Sequence, residues 1–496
     1  MNEFTVTIKS GETARTVTSD GTRTLLSLIQ GAAVAVHAPC GGNGTCRQCR
    51  VKVTGLCRVG GEVRRCEGED VLACRVCPAG DLAAETADAA AEVVMDSESI
   101  PSGGEGTALA VDIGTTTVAA YLYDLASGRC LGRKGELNAQ RSYGADVISR
   151  IRYASDDAGL ASLCSAVREQ IVSLARALCP DISKISYVSV AANTVMEHIF
   201  ARLSPQSIGV APFTPLSLFG EELPGRDIFP DFAGDCRVYL CPAAAGYVGG
   251  DITAGLLSSG AHLREKPVLF IDIGTNGEMA LGNRDGFLCC ACAAGPAFEG
   301  AGVECGSGAQ TGAINRVSPD LEIQVIGGGE PLSICGSGLI DAAAALLRSG
   351  ELDETGRLEG ERYRFGDKVW LSAKDIRMLQ LAKAAVRAGI ETLLERSGMG
   401  VGDVSEVLLA GGFGATIDPR SACAIGLLPP ALLSKVRHVG NTAGKGAALA
   451  LTAHGREQLA RVQSLCRYEE LSSSALFNEK FIDAMMFDEW EEVFRD

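Results

Sequence analysis

The chain has 496 residues and a mass of 51.6 kDa, with 61 acidic against 45 basic side chains and a formal charge of −16. That length bounds roughly two to four domains with ample chain for buried cores. The acidic surplus argues against nucleic acid or an anionic membrane as partner, because either repels the average surface. With 46% hydrophobic and 21% charged residues the composition is that of a soluble globular protein. The opening MNEFTVTIKSGE lacks a basic region followed by an apolar one, and no later stretch reaches 18 apolar residues, so a cytoplasmic, untethered protein is expected.

In chain order, alternating FTVTIKS predicts a strand and TRTLLSLIQGA a short helix. The loop Cys40-GGNGT-Cys46-RQ-Cys49 and the strand RVKV follow, with a further thiolate at Cys74 in VLAC. Seven of the 19 cysteines lie in the first 77 residues, a density that in a reducing compartment favours metal binding over disulfides. C-x5-C-x2-C plus one distant Cys suits a 2Fe-2S cluster, in which each iron takes two sulfur ligands. Gly41, Gly42 and Gly44 let the backbone wrap closely with φ > 0 and aim amides at sulfur. Zinc held by Cys46-x2-Cys49 and Cys74-x2-Cys77 is the rival, and it leaves Cys40 and the glycines without a purpose. Cys57, Cys66 and Cys77 are surplus to the cluster pattern, and Cys77 stays open as a substitute for Cys74.

From Asp81 to Thr107 the chain carries seven acidic and no basic residues and a Pro-Ser-Gly-Gly break, which reads as a self-repelling linker. The first 80 residues hold ten basic and seven acidic side chains, or +3, so the remainder carries −16 − 3 = −19.

The large module echoes itself. Ala108 to Tyr123 (ALAVDIGTTTVAAYLY) and Val268 to Gly282 (VLFIDIGTNGEMALG) each predict a strand ending in Asp-Ile-Gly-Thr, a tight turn and a second strand. Asp112 and Asp272 are 160 residues apart, a domain-sized duplication. Gly114, Thr115, Thr116 and Thr117 on one side, and Gly274, Thr275, Asn276 and Gly277 on the other, form turns whose amides and hydroxyls suit phosphate. Each Asp is placed to hold Mg²⁺ through water or to orient an attacking water, as phosphoryl transfer requires. Two such loops would clamp one polyphosphate between two lobes. A third strand runs into Gly411, Gly412, Phe413 and Gly414, where backbone can lie against a flat base. Gly440-NTAGKG fails the P-loop pattern, and no dinucleotide fingerprint is present, which disfavours NAD. His198 in MEHIF reads as a packed or hydrogen-bonded core residue, and the alternating Cys289, Cys290 and Cys292 as no metal site.

CGGNGTCRQCRVKV…VLAC resembles the plant- and adrenodoxin-type 2Fe-2S ferredoxins, with Cys40, Cys46, Cys49 and Cys74 matching the ligands. Asp112-IGTTT, Asp272-IGTNGE and Gly411-GFG resemble the two phosphate motifs and the adenosine motif of the actin, heat-shock chaperone and sugar kinase (ASKHA) superfamily. YGADVISRI, NTVMEHIF, AGYVGGDITAG, CGSGLIDA and KDIRMLQLAKAAVRAGI extend the likeness to the ferredoxin-fused ATPases that reductively activate corrinoid proteins. The resemblance implies an α/β chain with a small β-grasp ferredoxin domain at 1–80, an acidic linker at 81–106, and a duplicated two-lobe ATPase at 107–470. The lobes are placed at about 107–265 and 266–470, and an acidic segment at 471–496 packs on the ATPase or meets a partner. It further implies a 2Fe-2S cluster, ATP and Mg²⁺, with Asp112 and Asp272 catalytic, and electron transfer that takes a Co(II) corrinoid protein to Co(I). An upstream ferredoxin or reductase would supply electrons, and a homodimer is left open. A small-molecule kinase with a fused redox domain, an activator of a radical dehydratase and a plain electron carrier with a degenerate ATPase are the alternatives. Larger members carry an extra domain between ferredoxin and ATPase, where this chain has only the linker, and Ala192 stands where the family has Gly before Asn-Thr.

Overall fold

The structure is a computed structural model that describes residues 3–10, 13–32, 34, 36, 38, 42, 44, 49–86 and 98–488. The described residues form two compact units, one drawn from 1–90 and 99–240 and the other from 91–98 and 241–496. The division thus falls after Leu240, ahead of the lobe boundary expected near 265.

The first unit opens with β1 (Phe4–Ser10), β2 (Thr13–Ser19), α1 (Leu25–Gly31), β3 (Arg50–Val59), β4 (Glu62–Leu72) and β5 (Val76–Thr86). The strands make one sheet in the order β2-β1-β5-β3-β4. Thr24 caps α1 by accepting from the Ser27 N–H at 3.2 Å, and the helix buries Leu25, Leu26, Leu28 and Ile29 in one core with Val6, Ile8, Val51 and Val53. Each such burial contributes about 1.5–3 kcal/mol over leaving the side chain in water. Strand β5 runs six residues past the expected module boundary at 80. Its period-2 pattern points Leu82, Ala84 and Thr86 inward while Asp81 and Glu85 face water, so acidic residues that read as linker belong to a half-buried strand. The Asp81 carboxylate also accepts from the Thr5 N–H at 2.8 Å.

The same unit continues with β6 (Thr107–Ile113), β7 (Thr117–Asp124), β8 (Arg129–Leu137), α2 (Val147–Tyr153), α3 (Asp157–Leu178), β9 (Ile185–Ala192), α4 (Thr194–Phe200), β10 (Glu222–Pro224) and β11 (Arg237–Leu240). Its six strands lie in the order β10-β11-β9-β6-β7-β8.

The second unit contains α5 (Gly250–Ser258), β12 (Val268–Ile273), β13 (Gly277–Asn283) and β14 (Gly286–Cys292). A small sheet of β15 (Ala313–Val317), β16 (Ile323–Val325) and β17 (Ser333–Ile334), then α6 (Gly336–Ser349), the hairpin β18 (Arg362–Arg364) and β19 (Trp370–Ser372), and α7 (Ala373–Ser397) follow. The chain ends in β20 (Glu406–Ala410), α8 (Gly411–Gly414), α9 (Pro419–Ala424), β21 (Val436–Gly440), α10 (Thr442–Ala450), α11 (Ala453–Leu465), β22 (Cys466–Tyr468) and α12 (Ala475–Asp483). Its main sheet has the order β21-β20-β12-β13-β14-β22.

The repeat seen in the sequence is a repeat of sheet topology. Strand β6 lies between antiparallel β7 and parallel β9, and β12 lies between antiparallel β13 and parallel β20. Parallel pairing requires a crossover, which explains why the partners β9 and β20 come so much later in the chain. The described part of the final stretch, which ends at Asp488, packs on α7: Gln380 Nε2 donates to the Met485 carbonyl at 3.0 Å, Lys383 Nζ donates to that of Met486, and Phe487 is buried. Among the described residues no helix is long and apolar enough to cross a membrane.

Candidate functional site

In the cysteine module, Cys49 is buried at the start of β3 and Cys74 is half-buried in a single 3₁₀ turn, Ala73–Arg75. The Ala73 N–H donates to the Cys49 carbonyl at 2.8 Å, so Cys74 follows directly on a backbone bond to the third thiolate. Cys77 instead pairs within β5 opposite Arg58 of β3. Gly42 and Gly44 adopt φ of +98° and +74°, and Arg75 Nη2 donates to the Gly44 carbonyl at 3.0 Å. Left-handed backbone at these two positions is the conformation that the sequence reasoning required of them. Cys40, Cys46 and Gly41 lie outside the described residues. Cys57 and Cys66 are packed together in the core, their sulfurs 3.0 Å apart, and burial pushes the Cys57 thiol up to about 12.

The first turn joins β6 to β7. Asp112 sits on β6 between Ala119 and Ala191, and its turn is fixed by donors from three other elements. Asn138 Nδ2 donates to the Gly114 carbonyl at 2.8 Å, and the Asn138 N–H to the Thr116 carbonyl at 2.8 Å. Arg150 on α2 donates from Nη2 to the Thr115 carbonyl at 2.5 Å, and Asn193, the N-cap of α4, donates to the Thr115 hydroxyl at 3.3 Å. Thr117 opens β7. Asn138 and Arg150 are fully buried. These donors hold backbone and hydroxyl oxygens of the turn in place.

The second turn joins β12 to β13, and its surroundings are acidic. Asp272 pairs with Glu278 across the hairpin and with Ala410 on β20. The Gly274 N–H donates to the Asn276 carbonyl at 2.8 Å, and the Thr275 hydroxyl donates to Glu299 Oε2 at 2.9 Å. Asn276 also hydrogen-bonds Glu278, and Gly277 is packed tightly against Cys292 and Val386. Shielding from water, followed by the carboxylates of Asp251 and Asp272, pushes Glu278 well above its ordinary 4.5.

The third motif meets Asp272 directly. Gly411 has φ of +80°, and a methyl placed there would fall 2.4 Å from Asp272 Oδ1. Only glycine lets β20 turn into α8 beside that carboxylate. Gly412 continues the turn, Phe413 stacks on buried Phe298 at 5.3 Å between ring centroids, and Gly414 makes ordinary contact with Leu409. The structure therefore brings Asp272, Gly274–Gly277 and Gly411–Gly414 together in one unit and Asp112 with Gly114–Thr117 in the other. His198 is a core residue, as expected: Nδ1 donates to the Thr194 carbonyl at 2.7 Å and Nε2 accepts from the Leu216 and Ser217 N–H groups at 3.1 and 3.3 Å. Cys289, Cys290 and Cys292 are buried, with their thiols raised. Among the described residues no group of three or more His, Cys, Asp or Glu side chains is placed to hold a metal ion.

Residues 107–264 match the model of the RACo middle region, and residues 266–495 match that of the C-terminal domain of RACo, the ASKHA domain. The chain belongs to the RACo family. A likeness along the whole length agrees: a solved reductive activator for corrinoid, iron-sulfur protein is 30% identical with a TM-score of 0.71, over 99% of this chain and 100% of that one. The corrinoid activation enzyme RamQ of Eubacterium limosum is 35% identical over 416 residues, 76% of this chain and 70% of RamQ. A [Co(II) methylated amine-specific corrinoid protein] reductase of Methanosarcina barkeri is 27% identical over 296 residues, 53% of this chain and 55% of that one. The middle-region match at 107–264 falls on the segment expected as the first lobe, about 107–265.

Sequence reasoning missed Asn138, Arg150, Asn193, Asp251, Glu278 and Glu299. Asn193 carried a usable signal, since Asn-Thr after a strand is an N-cap pattern. Arg150 and Asp251 sat inside segments noted only for their family likeness. Asn138 and Glu299 gave no local signal, because their partners lie 24 residues away.

Proposed function

We propose that this RACo-family chain is an ATP-dependent reductive activator, which transfers an electron from a 2Fe-2S cluster to a corrinoid protein and takes its cobalt from Co(II) to Co(I). The observation that carries the proposal is the presence, on one chain, of two matched Asp-Ile-Gly-Thr turns in equivalent sheet positions and of a glycine-bearing thiolate loop. Cys40, Cys46, Cys49 and Cys74 are the proposed cluster ligands, and the five-stranded sheet with α1 is the proposed ferredoxin domain. Positive φ at Gly42 and Gly44 and the bond from Ala73 to Cys49 fit a loop that wraps a compact anionic group. The cluster, when bound, supplies one electron at a time and no bond chemistry.

On the nucleotide side, the amides and hydroxyls of Thr115–Thr117 and the amides of Thr275–Gly277 bind phosphate oxygens, the Thr275 hydroxyl being given to Glu299. Asp112 and Asp272 orient water and hold Mg²⁺ through water. The donor set at the second turn fits such a cation, because Asp251 and Asp272 lie near enough to Glu278 to add to the burial that raises it, which gathers carboxyl groups in one place. Mg²⁺ with ATP neutralises phosphate charge and usually takes only one or two carboxylates, so a three-residue cage is not required. Gly411 and Gly412 offer flat backbone to the base. Hydrolysis then shifts the conformational population of the ATPase, which drives an electron transfer that is uphill alone. A separate ferredoxin or reductase reloads the module.

Anaerobic purification with visible and EPR spectra, followed by ATPase assays with and without a Co(II) corrinoid protein, tests the reading. Cys49→Ser should bleach the visible bands, and Asp272→Ala should abolish ATP-dependent reduction with those bands intact. Bound zinc with no visible spectrum, or ATP hydrolysis indifferent to any corrinoid protein, would refute it. A kinase of the same fold gains nothing from a fused redox module and is not favoured.

A further inference from the structure

The first phosphate turn and the cysteine module belong to the same compact unit, and one short segment touches both. At its start, Asn138 grips the turn through the Gly114 and Thr116 carbonyls, both at 2.8 Å. At its end, Ser142 and Tyr143 grip the module. The Ser142 hydroxyl accepts from the Val36 N–H at 3.0 Å and donates to the Val34 carbonyl at 3.2 Å, while Gln30 Nε2 donates to the Ser142 carbonyl at 2.5 Å. The Tyr143 hydroxyl donates to the Gln30 carbonyl at 3.1 Å.

The segment between these ends is stiff. Ala139–Ser142 is a 3₁₀ turn, so it spans only about 10 Å from grip to grip. It is locked to α3, where Gln170 Oε1 accepts from the Ala139 N–H at 2.9 Å and Gln140 Nε2 donates to the Leu163 carbonyl at 2.9 Å. Asn138, Gln140 and Ser142 are fully buried, so a polar partner withdrawn from any of them leaves an unsatisfied group away from water. Val36 lies four residues ahead of Cys40, the first proposed cluster ligand. With Asp81 and Glu85 counted in β5, the module through Thr86 holds ten basic and nine acidic side chains, or +1 against −17 for the rest of the chain, which favours the same docking.

We propose that Asn138–Tyr143 is the seat of the cysteine module on the first phosphate turn, with Ser142 and Tyr143 as positioning residues that link nucleotide at the turn to the module's placement. The linkage deepens the ATP-binding reading and rests on it. If nucleotide shifts the Gly114 and Thr116 carbonyls, Asn138 follows and the Ser142 grip on Val34 and Val36 tightens or loosens. By reciprocity, loosening that grip changes nucleotide affinity by the same factor.

The test uses the full chain, with a non-hydrolysable ATP analogue (AMPPNP), calorimetry for its affinity, and hydrogen exchange of the Val36 amide. In the unaltered protein AMPPNP should change Val36 exchange at least about threefold, the low end of measured couplings. Ser142→Ala should speed Val36 exchange about tenfold without nucleotide, as loss of a buried hydrogen-bond partner predicts. It should also shrink the AMPPNP effect and shift the AMPPNP affinity by the factor lost. Tyr143→Phe, which deletes only the bond to Gln30, should give a smaller change in the same sense and carries the test if Ser142→Ala does not fold. A purely structural seat would alter basal exchange and leave the nucleotide response whole, which overturns the linkage. AMPPNP that binds the unaltered protein with no change at Val36 also overturns it. No binding of AMPPNP at all instead overturns the ATP reading, and the linkage with it.

Discussion

Gly411→Ala is the sharpest single perturbation of the proposed nucleotide site. The glycine has φ of +80°, where an L residue costs about 1–2 kcal/mol in backbone strain alone. The added methyl would stand 2.4 Å from Asp272 Oδ1, and ordinary contact requires roughly a further 1 Å, so the Asp272 carboxylate has to move by that amount. A displacement of about 1 Å in a group that orients reactants costs on the order of 100-fold in rate. Steady-state ATP hydrolysis should therefore show kcat/KM reduced about 100-fold, with a stability loss of about 1–2 kcal/mol by denaturant titration. Gly402→Ala is the matched control, since its methyl meets nothing within 4 Å and its φ is not positive. That variant should hydrolyse ATP within a few-fold of the unaltered chain. Normal kcat/KM in Gly411→Ala, or equal damage from the two variants, would refute the placement of Asp272 beside the reacting phosphate.

Cys74→Ser should abolish the visible spectrum of the anaerobically loaded protein while Cys77→Ser leaves it unchanged, because only Cys74 follows the backbone bond to Cys49; the reverse result would reassign the fourth ligand. The native protein should resist alkylation at Cys57 and Cys66, whose sulfurs are buried together with the Cys57 thiol pushed up to about 12, and peptide mapping that finds either one labelled as fast as in denaturant would contradict that burial. Burial holds the His198 imidazole below its ordinary 6.5, so between its two pKa values the unfolded chain binds more protons than the folded one. The His198 contribution to stability is then fully present above pH 6.5 and lost as pH falls through the lowered folded-state value. Thermal melts should show the advantage of the unaltered chain over His198→Leu shrinking from pH 7.5 to about 5, and a constant difference would contradict the neutral pairing with Leu216 and Ser217.

The duplicated turns were legible in the sequence because they are local: an apolar strand, Asp-Ile-Gly-Thr and a second strand lie within about sixteen residues, and near-continuous apolar runs mark the strands as buried ones. The boundary of the cysteine module was misplaced for an equally local reason. Asp81 and Glu85 look like linker charges until β1 is seen beside β5, when they become the solvent face of a strand whose other face holds Leu82 and Ala84. What could not be read was long-range. Asn138 reaches Gly114, Arg150 reaches Thr115 and Ser142 reaches Val36 across 24, 35 and 106 residues, and no pattern in a single sequence encodes such pairings.

The two turns share a backbone plan and differ in charge, and that difference assigns their work. At the first, Asn138, Arg150 and Asn193 present hydrogen-bond donors, with a guanidinium against the Thr115 carbonyl. At the second, Asp251, Asp272, Glu278 and Glu299 surround the turn with carboxyl groups, and Glu278 is driven toward its neutral form. A donor-rich turn favours an anion and a carboxylate-rich one favours a cation or a polarised water. On the proposed reading, the first turn is suited to grip phosphate and the second to carry Mg²⁺ and water. Loss of Asp112 should then weaken nucleotide binding more than turnover, and loss of Asp272 should do the opposite. Duplication supplied two equal frames, and side chains contributed from elsewhere in each unit made them unequal.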